Sequence, residues 1–160
     1  MAFRGRSLPA SVKWKTPTGK AMFTVPESLG APAERPDVYR LITLRADGQF
    51  NTTIYREDDR FRGVHGGRMV VLMNPADLSR LGLRDGDPIR LSTAVDDGVR
   101  RTLGGLKARP YDVPAGCLVG YYPECNVLIP LSHYAKESKV PAAKSIPVRI
   151  EPEAAPLRAI

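Results

Sequence analysis

The sequence predicts a mainly β, barrel-like fold with short helices. Three observations carry this. Short runs of β-branched and apolar residues recur between turn residues, only two short helical segments stand out, and no long strand–helix–strand repeat is present. The length of 160 residues fits one domain, and a chain of this size buries roughly two thirds of its unfolded surface. Hydrophobic content of 42% and charged content of 26% exclude a disordered, collagen-like or coiled-coil chain. No apolar run reaches the roughly 18 residues of a membrane span. The start, Met1 to Ser11, is too polar for a signal peptide. A cytoplasmic location with no membrane partner is therefore expected.

Residues 1–37 hold Pro9, Pro17, Pro26, Pro32 and Pro36, each of which removes a backbone donor and fixes φ. An extended arm is expected, with one short strand near Ala21–Val25 and a linker from Glu27 to Asp37. A barrel domain is expected over residues 38–151. Val38–Leu44 reads as its first strand. Residues 45–67 form a polar stretch longer than the loops of compact domains usually are, a length that points to function or to disorder. Met69–Met73 is a continuous apolar run, the mark of a strand buried on both faces. Asn74 suits a helix N-cap, Pro75 the first helical position and Gly82 the left-handed stop, with Asp77 at the positive end of the dipole. Asp85-Gly86 turns into a strand over Pro88–Val95, and Asp97-Gly98 into another over Val99–Ala108. Pro114–Gly116 breaks the chain before a strand at Cys117–Tyr121. A short helix is expected at Asn126–Leu131 and a last strand at Ile146–Ile150. The tail, from Glu151 and over 152–160, is expected to fray.

The formal net charge is +7, with the excess mainly in residues 1–70. Such a chain attracts phosphate groups, on a nucleotide or on nucleic acid. Cys117 and Cys125 have neither a metal nor a disulfide-framework spacing and read as reduced thiols. His65 and His133 lack companions at ligand spacing, so a protein metal site is not expected. Asp58-Asp59 and Asp96-Asp97 sit in turn contexts, where turn and solvation roles are expected rather than acid–base chemistry.

Several segments, taken in order, resemble one family. Lys15-Thr16-Pro17-Thr18-Gly19-Lys20-Ala21-Met22-Phe23 resembles the Thr-x-Ser-Gly-Lys-x-x-Phe segment that leads into the C-terminal domain of molybdopterin oxidoreductases. Met73–Asp77, Leu81-Gly82-Leu83 and Asp85-Gly86-Asp87 resemble that domain's helix and turn. Gly48–Tyr55, with Asp58-Asp59-Arg60, is similar to the formate dehydrogenase alpha-subunit-like branch. The resemblance covers roughly Lys15 to Ile150. It implies a double-psi β-barrel that binds a molybdopterin guanine dinucleotide carrying molybdenum. It also implies partners in the remaining domains of a parent enzyme, where an iron–sulfur cluster and the protein ligand to molybdenum reside. On that reading Cys125 is not the metal ligand, and the chain alone binds no cofactor and is not catalytic.

Three segments are candidates for the cofactor site. In the Gln49–Tyr55 loop, Asn51, Thr52 and Thr53 offer short hydrogen-bonding groups for pterin and phosphate oxygens, flanked by Gln49 and Tyr55. Arg45 adds a charge-assisted bond to phosphate. The plainer alternative is a polar surface turn. Asn126, in an Asn-x-Leu step after Tyr121–Cys125, resembles the family's Asn beside the cofactor, while helix capping is the plainer role. The family's relatives often carry a His before this Asn, where this chain has Tyr-Pro-Glu-Cys. Lys144 and Ser145, in the Pro141–Val148 loop, resemble the last family loop passing the pterin, although a lysine is most often solvated. The alternative function is a basic barrel that docks a protein or nucleic acid. Aromatic content of only 7% argues against base stacking, so no nucleic-acid partner is expected.

Overall fold

The computed structural model describes residues 15–25, 35–49 and 56–153. Contacts divide the chain into two units, Met1–Ala33 and Glu34–Ile160. In the first unit the expected strand at Ala21–Val25 does not form. The segment begins with a turn in which Gly19 N donates to Thr16 O (3.1 Å) and Thr16 Oγ1 to Lys20 O (2.7 Å). Met22, Phe23 and Val25 follow it, all exposed. No described residue offers this segment a ladder, and apolar content without a ladder makes no strand.

The second unit is built from β1 (Tyr39–Leu44), β2 (Val70–Met73), α1 (Pro75–Arg80), β3 (Pro88–Thr93), β4 (Thr102–Pro110), β5 (Cys117–Tyr121) and β6 (Ile146–Pro152). A 3-10 helix spans Glu124–Leu128. The strands close into a barrel in the order β1-β5-β2-β4-β3-β6. β1 runs parallel to β5, with Leu44 opposite Tyr121, and β2 parallel to β4, with Val70 opposite Lys107. All other neighbours are antiparallel. This is the double-psi β-barrel that the resemblance implies. Leu41, Val71, Met73, Ile89, Leu91, Leu106, Leu118, Ile146 and Val148 fill its interior.

β2 is buried on both faces, as its apolar run predicts. Val71 and Met73 face the barrel interior, while Val70 and Leu72 pack with Ala46, Val64, Val119 and Tyr121. The stretch after β1 therefore partly covers the outside of β2 and β5. After β2, α1 starts as expected. The Asn74 side chain accepts from Ala76 N (2.8 Å) and donates to Val113 O (2.6 Å). Gly82, at φ +67°, lets Leu83 N reach back to Leu78 O (3.0 Å). Asp77 does more than complement the dipole. It is buried, accepts from Gly116 N (2.7 Å) and pairs with Arg80 (2.8 Å), which also donates to the Tyr39 hydroxyl (2.8 Å).

Several expected boundaries move. β3 stops at Thr93 and β4 begins at Thr102, because Asp97 caps the turn through Val99 N (3.2 Å) and Arg101 (2.8 Å). The helix expected at Asn126–Leu131 is a 3-10 helix that begins at Glu124, so Asn126 lies inside it and does not cap it. Gly120 permits that close turn, since a Cβ there would stand 2.5 Å from Cys125 Sγ. Fraying does not start at Glu151. β6 continues to Pro152, Glu151 accepts from Ser92 Oγ (3.1 Å), and Glu153 accepts from Gly105 N (2.7 Å) and pairs with Arg90. Among the described residues no helix is long and apolar enough to cross a membrane.

Candidate functional site

Because β1 and β5 are parallel, both finish at the same end of the barrel, where the antiparallel β2 and β6 begin. The chain leaving β1 and the chain leaving β5 are joined by Tyr122 N donating to Leu44 O (2.7 Å). The segment before β6 is joined by Thr43 N and Oγ1, which both donate to Ala143 O (3.0 and 3.2 Å). This topology brings Arg45, Gln49, Asn126, Lys144 and Ser145 to one end, although they are far apart in sequence. Asn51, Thr52, Thr53 and Tyr55 lie outside the described residues.

Gln49 is 5% exposed and its Oε1 accepts from Ala46 N (3.1 Å). Its Nε2 is buried with no hydrogen-bond partner among the described residues. A buried donor left unpaired costs about 1–3 kcal/mol, so such a group marks a place where something else pairs with it. Arg45 is exposed. The Asn126 backbone N donates to Pro123 O (2.9 Å), and its side chain lines a cleft of about 480 Å3 together with Tyr122, Leu131, His133, Tyr134 and Lys139. That size is in the range of small-molecule sites. Lys139 Nζ stands 4.9 Å over the Tyr134 ring. His133 Nε2 lies 2.8 Å from Ser145 O, which orients the Ser145 turn. Lys144 is exposed and its Nζ donates to Thr43 O, so its ammonium is held at the barrel end rather than fully solvated.

Residue-by-residue reading missed four groups. Asp59 is not a solvated turn residue but fully buried. Its carboxylate accepts from the Tyr121 hydroxyl (2.8 Å), Arg62 (2.6 Å) and Phe61 N (3.1 Å). Burial pushes its pKa up, but Arg62 and Tyr121 outweigh that and hold it below the usual carboxylate range. Burial, then the bond to Asp59, raises the Tyr121 phenol. Arg68, also buried, bonds Glu124 through Nε (3.0 Å) and Nη2, tying the start of β2 to the 3-10 helix. Glu124 Oε2 is buried with no partner among the described residues. The available signal was the apolar run of β2, which demands an outer cover and so implies that parts of 45–67 are packed. Burial pushes the Cys125 thiol up to about 12, so it is an inert packing group. Among the described residues no three His, Cys, Asp or Glu side chains gather as a metal set.

Comparison with known proteins identifies the family of the barrel. The family model described as "Molydopterin dinucleotide binding domain" matches residues 39–147. An uncharacterized oxidoreductase of Mycobacterium tuberculosis is 45% identical over 150 residues, covering 89% of this chain and 19% of that protein. Protein YdeP of Escherichia coli is 37% identical over 147 residues, with the same shares. The chain thus spans about a fifth of the length of these relatives. Acetylene hydratase from Pelobacter acetylenicus is similar in fold, with a TM-score of 0.50 at 17% identity, over 71% of this chain and 18% of that one. The matched residues run from the first residue of β1 to the start of β6 and include the whole of this barrel end; the chain belongs to the molybdopterin dinucleotide-binding domain family.

Proposed function

We propose that the barrel holds a molybdopterin guanine dinucleotide at the end where β1 and β5 finish, as one domain of a longer molybdenum oxidoreductase of the formate dehydrogenase alpha-subunit-like branch. The observation that carries this reading is the buried Gln49 amide donor, which has no hydrogen-bond partner among the described residues and lies on the segment that leaves β1 at that end. The residues present fit such a group. Gln49 Nε2 and the Asn126 amide suit the amide-bearing rings of a pterin or guanine. Lys144 and Arg45 supply positive charge for the phosphates. Asn51, Thr52, Thr53, Tyr55 and Ser145 complete the proposed set. When bound, the cofactor supplies the oxidation–reduction chemistry, and these residues bind and orient it. On this reading residues 38–151 form the cofactor domain, with 1–37 as an arm and 152–160 as a tail. The iron–sulfur cluster, the metal's protein ligand and the substrate pocket belong to the remaining domains, the 160 residues alone are not catalytic, and the parent enzyme is cytoplasmic.

Lys144→Ala in the full-length protein tests this. A hydrogen bond to a charged group is worth about 1.5–3 kcal/mol, so cofactor retention should fall about 10- to 100-fold. Thermal unfolding of the 160-residue chain should shift little, since an exposed lysine contributes under about 1 kcal/mol. Mass spectrometry of released cofactor reads both the occupancy and the identity of the base. Undiminished occupancy would leave Lys144 with its Thr43 contact alone, and a base other than guanine would reject the guanine form.

A further inference from the structure

The polar groups around Asp59 are not needed to bury the outer face of β2, which Val64, Ala46 and Tyr121 already cover. A buried carboxylate is a costly way to hold a loop, and apolar residues of similar volume often serve stability as well or better. What the carboxylate adds is direction. Asp59 exchanges backbone hydrogen bonds with Val64 (2.8 and 3.1 Å), closing a small hairpin over residues 59–64. Its side chain ties that hairpin to Tyr121, the last residue of β5. From the same hairpin, Arg60 reaches across to Asp47 (2.7 Å). Asp47 lies two residues before Gln49, whose N donates to Ala46 O (3.1 Å). Gly48, at φ +78°, sits against the Arg56 guanidinium, close enough that a Cβ would be 3.4 Å from its Nε. A chain of fixed contacts thus runs from the end of β5 to the segment carrying Gln49.

We propose that Asp59 is a positioning residue: clamped by Tyr121, it holds the 59–64 hairpin so that Arg60 and Asp47 set the placement of Gln49 at the cofactor end. This rests on the reading of that end as the dinucleotide site. Asp59 touches no cofactor atom on this account. It acts through the hairpin.

The test uses Tyr121→Phe, which removes only the hydroxyl, and Arg60→Gln, which cuts the link to Asp47 together with the Arg60 contact over the Phe61 ring. Amide hydrogen exchange is read on the 160-residue chain, and dinucleotide content on the full-length protein. Tyr121→Phe should speed exchange at Gly48, Gln49 and Val64 about 10- to 100-fold while Val71 and Leu72 in β2 hold their protection. Arg60→Gln should speed exchange at Gly48 and Gln49 by about two- to fivefold and leave Val64 unchanged, a pattern that lost stability alone does not give. Dinucleotide content should fall in both variants. Unchanged exchange at Gln49, or an equal rise throughout β2, would overturn the clamp. So would faster exchange at Gln49 with undiminished cofactor in a protein whose cofactor is lost on Lys144→Ala. Undiminished cofactor in all three variants would instead reject the site on which the clamp is said to act.

Discussion

The two ends of the barrel solve the same problem in opposite ways. At the α1 end, connections are short and the polar groups meet each other. Asn74 caps the helix and holds Val113 O, Asp77 joins α1 to Gly116 and Arg80, and Asp87 accepts from Arg84 N (2.8 Å). At the other end the connections are long, the one from β5 to β6 lines a cleft, and Gln49 Nε2 and Glu124 Oε2 are buried without partners among the described residues. Chain satisfied by its own atoms stabilises. Chain that brings donors together and leaves them unmatched is suited to a ligand, and the stability it gives up must come from elsewhere in the fold.

Substitutions at the closed end should therefore cost stability and spare binding. Asp77→Ala leaves the half-buried Gly116 N–H without its acceptor and the Arg80 guanidinium without its partner, and should lower unfolding free energy by about 1–3 kcal/mol in urea titration. Cofactor content per folded full-length protein should not change. A loss below about 0.5 kcal/mol would show that this end is not the stabilising one. Asn74→Ala removes the cap and the Val113 bond and should cost about 1–2 kcal/mol by the same measurement, again with binding intact. A fall in cofactor content at constant fold would erase the distinction between the ends.

The smallest effect concerns pH at the open end. The Asp59 carboxyl titrates below its unfolded value of about 4, so the ionised form favours the folded hairpin. That contribution is complete above about pH 4 and is lost as pH falls through the lower folded value. Exchange at Phe61 and Val64 should quicken over that acid window before β2 opens, and Asp59→Asn should remove the pH dependence. A hairpin that opens only together with β2 would show that the carboxylate has no local role.

Much of the closed end was legible in the sequence, because its signals are local. The cap at Asn74, the proline after it and the glycine at position 82 act within one turn, and each took its expected part. The strands β1, β2 and β5 followed from short apolar runs for the same reason. The open end was legible only as candidates. Lys144 read as a cofactor contact, with a solvated lysine as the plainer role, and the fold sets it against Thr43 O, while Asp59 read as a turn residue until Tyr121 was set over it. Asn126 read as a cofactor contact or a cap, and the 3-10 helix that begins at Glu124 removes the cap role.

By itself the sequence determined most of the barrel's strands, the cap and stop of α1 and the two-faced burial of β2. It could do so because each rests on backbone chemistry and side-chain period over a few residues. Only the tertiary structure decided which strands are neighbours, and therefore that Gln49, Asn126 and Lys144 share one end of the barrel. It likewise decided that Asp59 is a buried anchor. Strand order and side-chain partners are set by closing the sheet over one core, a condition on the whole chain that no local window contains.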